Sequence, residues 1–254
     1  MPLYTTDALI LRTYKLGEAD RIVVFLTADR GKKRGVAKGA RRAKSRFGGA
    51  LEPMTHAGVT YFEREGRELV GLNYADTVRS PWSAPNLEAL GHIEYFAELI
   101  DEWAPEGDPN PKLFRLGASL VDALAAGVAV DPLARYFEYW LLRLQGVYPA
   151  HTRCRMCGVE LGGGEPPGAC LDPAQQGFTC LRCARVPGGV PATSLSRDAL
   201  AFLERAGRTS PERVGDVAVP PRAIRELEAV HRTLIAWHLE REPKSARVLR
   251  ELRG

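Results

Sequence analysis

No run of this chain approaches the roughly 18 uninterrupted apolar residues of a membrane-spanning helix. Met1 to Ile10 also lacks the cationic-then-apolar order of a secretory signal, so a cytosolic protein is expected. Signatures of catalysis are missing as well. There is no phosphate-binding G-x-x-x-x-G-K-[ST] loop: the nearest approach, Gly31-Lys32, has Leu26 in place of the first glycine and Lys33 in place of the hydroxyl residue. Neither a dinucleotide G-x-G-x-x-G after a strand, nor H-E-x-x-H, nor a G-x-S-x-G elbow occurs. The five histidines (56, 92, 151, 231 and 238) are scattered, and His231 and His238 stand two helical turns apart, too far to share a metal. A non-enzymatic protein is the expectation.

Charge of one sign is absent from two stretches. Between Arg30 and Arg46 there is no carboxylate, while Arg30, Lys32, Lys33, Arg34, Lys38, Arg41, Arg42, Lys44 and Arg46 supply nine cations. The whole chain carries only +4, so everything outside that window sums to −5. Gly31, Gly35 and Gly39 punctuate the run. Such a field seeks a polyanion, of which nucleic acid is the commonest. The complementary absence is of Lys and Arg from residues 86–108, where Glu88, Glu94, Glu98, Asp101, Glu102, Glu106 and Asp108 sum to −7. Two blander readings of the basic run follow: a solvated face, or pairing with this acidic stretch.

What is present at 254 residues is enough for one large or two to three smaller domains. Residues 8–14, 21–26, 33–38, 52–62 and 69–78 read as strands, with Gly17-Glu18-Ala19-Asp20 and Arg64-Glu65-Gly66-Arg67 as turns. Five short strands in so few residues suggest a small closed barrel, OB-like or SH3-like. After Pro81 and Pro85 the period turns helical: Leu87, Leu90, Ile93, Ala97 and Ile100 share a face, then Leu113, Leu116, Leu120 and Leu124. Asp131-Pro132 reads as an N-cap followed by proline at the first helical position, with Gly146 as the stop. Helices resume at 196–206 and 221–240, and residues 148–189 between them read as loop. The expected fold is α+β and multidomain: a five-stranded barrel over 1–80, a helical domain from 81–147 and 190–254, and a cysteine module inserted at 148–189.

All five cysteines lie between 154 and 183, which in a cytosolic chain favours metal over disulfides. Cys154-Arg-Met-Cys157 and Cys180-Leu-Arg-Cys183 are two CxxC knuckles separated by 22 residues, and four soft thiolates in tetrahedral reach suit Zn²⁺. Four ligands close the shell, so one structural Zn²⁺ per chain is expected, stapling a segment with few apolar residues for a core of its own. Cys170, among Pro166, Pro167 and Pro173, reads as a bystander thiol, and His151 as an ordinary loop histidine. Of the aromatics on or beside the strands (Tyr14, Phe25, Phe47, Tyr61 and Phe62), some must fill the barrel and others are available to stack on bases.

The segment Gly31 to Arg46, preceded by Gly17-Glu-Ala-Asp20 and Leu26-Thr27 and followed by Leu51-Glu-Pro53, resembles the N-terminal signature of RecO recombination mediators. The CxxC pair after Tyr148-Pro149 and the closing Lys244-Ser245-Ala-Arg247 fit the same family in order and spacing. The resemblance implies an N-terminal OB-fold, a helical domain and a four-cysteine zinc-ribbon insertion. It also implies binding of single- and double-stranded DNA, annealing of complementary strands, and a RecR-like partner with which RecA is helped to displace single-stranded-DNA-binding protein (SSB), in the RecF pathway at the bacterial nucleoid. By position it makes the Gly31–Arg46 segment the DNA-facing element and Cys154, Cys157, Cys180 and Cys183 the zinc ligands. In some relatives the helical domain receives the acidic tail of SSB, and residues 222–253 here are cationic enough for that. The rival readings are a DNA-processing enzyme such as a nuclease, a sequence-specific regulator that reads DNA with the cysteine module, and a scaffold whose basic run docks on protein. The module carries Arg153, Arg155, Arg182 and Arg185 against Glu160, Glu165 and Asp172.

Overall fold

The computed structural model of the chain describes residues 2–83, 87–163, 168–172, 177–184 and 193–253. Pro85, Glu165, Pro166, Pro167, Pro173, Arg185 and Gly189 lie outside the described residues, as do the side chains of Leu87 and Glu88. The chain divides into two compact units, residues 1–127 with 243–254 and residues 128–242.

In the first unit five strands, β1 (Leu3–Leu16), β2 (Asp20–Thr27), β3 (Lys32–Ala37), β4 (His56–Phe62) and β5 (Val70–Arg79), close a barrel in the order β1-β2-β3-β5-β4. This is the Greek-key arrangement of an OB-like barrel, which removes the SH3-like alternative. The first strand is longer than its apolar run suggests, because its two halves serve different partners: Leu3–Leu9 pairs with β4 and Ala8–Leu16 with β2. A bulge between Ile10 and Arg12 turns the corner. Alternation on β4 buries Ala57, Val59 and Tyr61 and turns His56, Gly58, Thr60 and Phe62 outward. The fourth strand begins at His56 rather than at residue 52, since Glu52–Thr55 is spent on the turn Thr55 N–H to Glu52 carbonyl.

The parallel pairing of β3 with β5 closes the barrel over Gly35–Ala37 and Val70–Leu72. A long connection from Lys38 to Thr55 is a series of turns, pinned because Phe47, Ala50 and Leu51 drop into the barrel core beside Phe25 and Tyr61. Burying a ring such as Phe47 contributes roughly 2–3 kcal/mol, enough to hold an otherwise polar loop on the barrel end.

Helices α1 (Leu87–Trp103), α2 (Pro111–Ala125) and α6 (Lys244–Arg253) complete this unit. Asn110 caps α2 by accepting the Leu113 N–H at 3.1 Å. The last helix is not legible as one from sequence: its apolar content is low, and its N-terminus is capped from α1 by Glu98, which accepts the N–H groups of Lys244 (3.2 Å) and Ser245 (2.8 Å) and the Ser245 hydroxyl.

The second unit holds α3 (Val130–Leu144), α4 (Arg197–Ala206) and α5 (Pro221–Leu239), with a three-stranded sheet of β7 (Gly177–Cys180), β6 (Ala169–Asp172) and β8 (Ser194–Leu195). Two expectations need correction here. The N-cap of α3 is Ala129, not Asp131. Pro132 falls inside the first turn, where a missing N–H costs nothing, and the Asp131 carboxylate meets the positive helix end. The module between α3 and α4 is not all loop, nor bare of a core: Leu161, Leu171 and Phe178 are buried. Its strands are four residues or fewer, too short to show as a pattern. Among the described residues no helix is long and apolar enough to cross a membrane.

Candidate nucleic-acid interface and metal centre

The nine cations of residues 30–46 divide into two groups of different chemistry. Those on and before β3 are spoken for. Lys32 is buried, with its ammonium on the Asp101 carboxylate and carbonyl oxygen, and Asp101 also takes Arg12 at 2.8 Å. Its backbone is held too, Lys32 N–H on the Pro105 carbonyl and Gly107 N–H on the Lys32 carbonyl. Gly31 must be glycine for this: φ is +69°, and a Cβ would collide with the Asp108 backbone. Lys33 pairs with Glu63 at 2.8 Å and Arg34 with Glu106 at 3.2 Å. Arg30 lies 4.0 Å over the Tyr4 ring and 3.6 Å from Asp29. The acidic stretch therefore answers part of the basic run: Asp101 and Glu106 hold Lys32 and Arg34.

The other five, Lys38, Arg41, Arg42, Lys44 and Arg46, are exposed on the turn-rich connection and pair with no carboxylate among the described residues. That connection is tied to the β1–β2 hairpin. Gly39 N–H donates to Asp20 (2.8 Å), Arg41 N–H to the Ala19 carbonyl (2.9 Å), and the Arg41 guanidinium to the carbonyls of Gly17 and Glu18 (2.9 Å each). The Gly17–Asp20 turn and the Lys38–Arg46 connection, separate in sequence, thus form one ledge that carries five cations. Leu51-Glu-Pro53 anchors its far end: Leu51 is in the core, Glu52 meets Arg21 at 3.3 Å, and the Pro53 carbonyl accepts the Trp82 indole N–H at 2.8 Å.

Of the five aromatics, Phe25, Phe47 and Tyr61 are core, whereas Tyr14 is half exposed and Phe62 half-buried on the outer face. Sequence reasoning missed Arg64 and Arg67 as site residues. Their hairpin is legible as a turn, and only the fold shows that they line, with Lys38 and Arg46, one groove of about 590 Å³.

In the second unit the thiols of Cys154, Cys157, Cys180 and Cys183 lie within 4.8 Å of one another and can hold a metal ion. Cys157 Sγ and Cys180 Sγ are 3.7 Å apart, and the Cys180 N–H donates to Cys154 Sγ at 3.2 Å. Burial pushes the Cys154 thiol up, but the backbone N–H groups of Cys180, Cys157 and Met156 outweigh it and bring it down to about 6, which favours the ligating thiolate. Gly158, at φ +74°, closes the first knuckle by donating its N–H to the Cys154 carbonyl. Cys170 and His151 stand outside the cluster. The first is buried on β6, and the second packs edge-on against Tyr139 and Tyr148.

Comparison with known proteins agrees on one family. The model for the N-terminal domain of recombination protein O matches residues 1–81, and the model for its C-terminal domain matches residues 84–247. The protein named DNA repair protein RecO from Koribacter versatilis is 35% identical over 254 residues, covering 98% of this chain and 99% of its own. Proteins of that name from Geobacter metallireducens (36% identical, 97% of each chain) and Streptomyces avermitilis (35% identical, 97% of this chain and 98% of its own) are similar over the same span.

Proposed function

The chain belongs to the RecO family of DNA repair proteins, and from that premise we propose that it is a non-enzymatic recombination mediator. In this reading it binds single- and double-stranded DNA, anneals complementary strands, and with a RecR-like partner helps RecA load onto strands covered by SSB. RecF is a further partner, and the bacterial cytosol at the nucleoid is the place of action. The observation that carries the reading is the ledge of Lys38, Arg41, Arg42, Lys44 and Arg46, five exposed cations that no carboxylate answers among the described residues. Such a surface neutralises phosphates and releases their counterions without reading sequence, so binding is weakly selective and steeply salt-dependent. Annealing follows from the same screening, since a cationic surface that holds two strands lowers their mutual repulsion. Lys32, buried on Asp101, serves the barrel in this reading, while Arg30, Lys33 and Arg34 are partly answered by Asp29, Glu63 and Glu106 and contribute less.

Residues 1–80 carry the DNA in this scheme, the helices of 81–147 and 190–254 offer surface to partners, and 148–189 is a zinc-ribbon module. A tetrahedral Zn²⁺ with bonds of about 2.3 Å requires sulfur–sulfur separations near 3.8 Å, and Cys157 and Cys180 stand 3.7 Å apart. A bound Zn²⁺ would supply a cross-link and no reactive position, because the four thiolates fill its shell. The test is a strand-annealing assay under salt titration. Rates should fall steeply with salt and fall further in the Arg42→Glu/Lys44→Glu variant. Mg²⁺-dependent degradation of a labelled single strand would overturn the non-enzymatic reading.

A further inference from the structure

The seam that closes the barrel carries a second, more specific feature. Val36 on β3 is in register with Gly71 on β5, and Gly71 with Phe62 on β4, so these three form one row on the outer face. A Cβ at residue 71 would run into three carbon atoms of the Phe62 ring, so the ring lies flat on the bare backbone of Gly71. Any other residue there would tilt it. The result is a half-buried aromatic platform that lines the groove, with the Arg64 guanidinium over the ring at 5.3 Å from its centroid.

The groove's rim is cationic from both sides. Lys38 and Arg46 come from the β3–β4 connection, Arg64 and Arg67 from the β4–β5 hairpin, and Glu68 is the one carboxylate in its lining. The neighbouring Glu63 is already neutralised by Lys33. A flat π-face between two pairs of cations matches an unpaired base between its flanking phosphates. It does not match a duplex, whose bases have their faces covered by stacking. We propose that this groove binds single-stranded nucleic acid, one base stacking on Phe62 in the place the Arg64 guanidinium holds, while Lys38, Arg46, Arg67 and the displaced Arg64 hold the adjoining phosphates. The proposal rests on the DNA-binding reading above and specifies its single-strand subsite; the five-cation ledge remains indifferent to strandedness.

The full chain is titrated with oligo-dT, with an abasic strand of equal length, and with a duplex. Phe62→Leu keeps an apolar cover over Gly71. It should lose roughly tenfold in oligo-dT affinity, with the abasic strand and the duplex unchanged, and Phe62→Tyr should restore it. Arg64→Ala/Arg67→Ala should weaken oligo-dT and the abasic strand alike. Equal loss on oligo-dT and the abasic strand in Phe62→Leu, or no loss on either, would overturn the stacking role. Ultraviolet cross-linking of a 5-iododeoxyuridine strand to the unaltered protein gives a check that no variant's folding can spoil: the adduct belongs on the Phe62 peptide, and an adduct elsewhere alone sinks the assignment. If the parent shows no salt-dependent affinity for any of the three DNAs, the broader reading fails. If only the Phe62 arms fail, the broader reading stands.

Discussion

The ammonium of Lys32 lies 3.1 Å from the Asp101 carboxylate and 2.7 Å from the Asp101 carbonyl oxygen, inside what reads in sequence as a DNA-seeking cationic run. Both side chains are largely buried, so removing the Asp101 carboxylate leaves the Lys32 ammonium without a counter-ion, whereas removing Lys32 leaves Asp101 with Arg12 alone. Asp101→Asn should therefore cost about 3 kcal/mol of stability and Lys32→Ala less, both read as a lowered urea midpoint. The salt slope of DNA binding should stay as in the parent, because Lys32 has no access to phosphate.

The ledge predicts the reverse pattern. Arg42 and Lys44 make no ion pair among the described residues, so Arg42→Ala/Lys44→Ala should leave the urea midpoint within about 0.5 kcal/mol of the parent. The slope of log affinity against log salt should become shallower by about 1.4 for single strands. Arg41 is a poorer choice for this test, since its guanidinium also holds the Gly17 and Glu18 carbonyls and its loss would loosen the ledge. An unchanged slope in the double variant would remove the ledge from the DNA interface.

The contrast between Lys32 and Arg42 shows what the sequence could convey. Strand periodicity, the CxxC knuckles and the charge run are all legible, because each is local: alternation on β4, ligand spacing, and seventeen residues without a carboxylate. Which cations are free is not legible, since that depends on Asp101 at the end of α1 and Glu106 just beyond it returning to β3 from some seventy residues on. The same reason hides α6. Its capping group, Glu98, lies 147 residues before Ser245, and no local pattern records so distant a partner. Phe62 stands among the candidate stackers in sequence, but only the register that sets it on Gly71 separates it from Phe47 and Tyr61 in the core.

Glu98 gives a prediction in pH. Burial alone would raise its pKa, but the Ser245 hydroxyl and N–H, the Lys244 N–H and Arg12 together bring it below the ordinary carboxylate value of 4.5. A depressed carboxylate contributes stability that is fully present above the unfolded value and is lost as pH falls through the folded one. The amides of α6 should thus keep their hydrogen-exchange protection down to about pH 4.5 and lose it below. Glu98→Gln should abolish that protection at neutral pH, at a cost of about 1–2 kcal/mol. Protection of 244–253 in Glu98→Gln equal to the parent's would show that the cap is idle.

In the second unit the buried His231 works in the opposite sense. Its Nδ1 is 2.9 Å from Glu138, and its Nε2 is 3.3 Å from the Tyr148 hydroxyl. Arg135 already answers Glu138 at 2.7 Å, so burial prevails and holds the imidazole below its ordinary 6.5. The unfolded chain takes up this proton at a higher pH than the folded one. The contribution is complete above about pH 6.5 and declines as pH falls. The melting temperature should drop between about pH 7 and 5.5, and His231→Gln should flatten that part of the profile. A rise in melting temperature on acidification would mean that His231 is held as an imidazolium by Glu138.

Removal of metal should affect one unit and spare the other. Strands of four residues cannot sustain a hairpin alone, and Leu161, Leu171 and Phe178 make only a small core beside the four thiols. Structural Zn²⁺ contributes about 10–16 kcal/mol of apparent binding energy in small zinc peptides, so the module's order should depend on it. A mercurial titration with a metal-sensitive dye should release one Zn²⁺ per chain, and hydrogen exchange over 152–161 and 177–183 should then accelerate. Oligo-dT affinity should persist, because Lys38–Arg46 and Phe62 belong to the other compact unit. Unchanged exchange after metal release would mean that the apolar cluster alone holds the module, and loss of oligo-dT affinity would place DNA contacts on the cysteine knuckles.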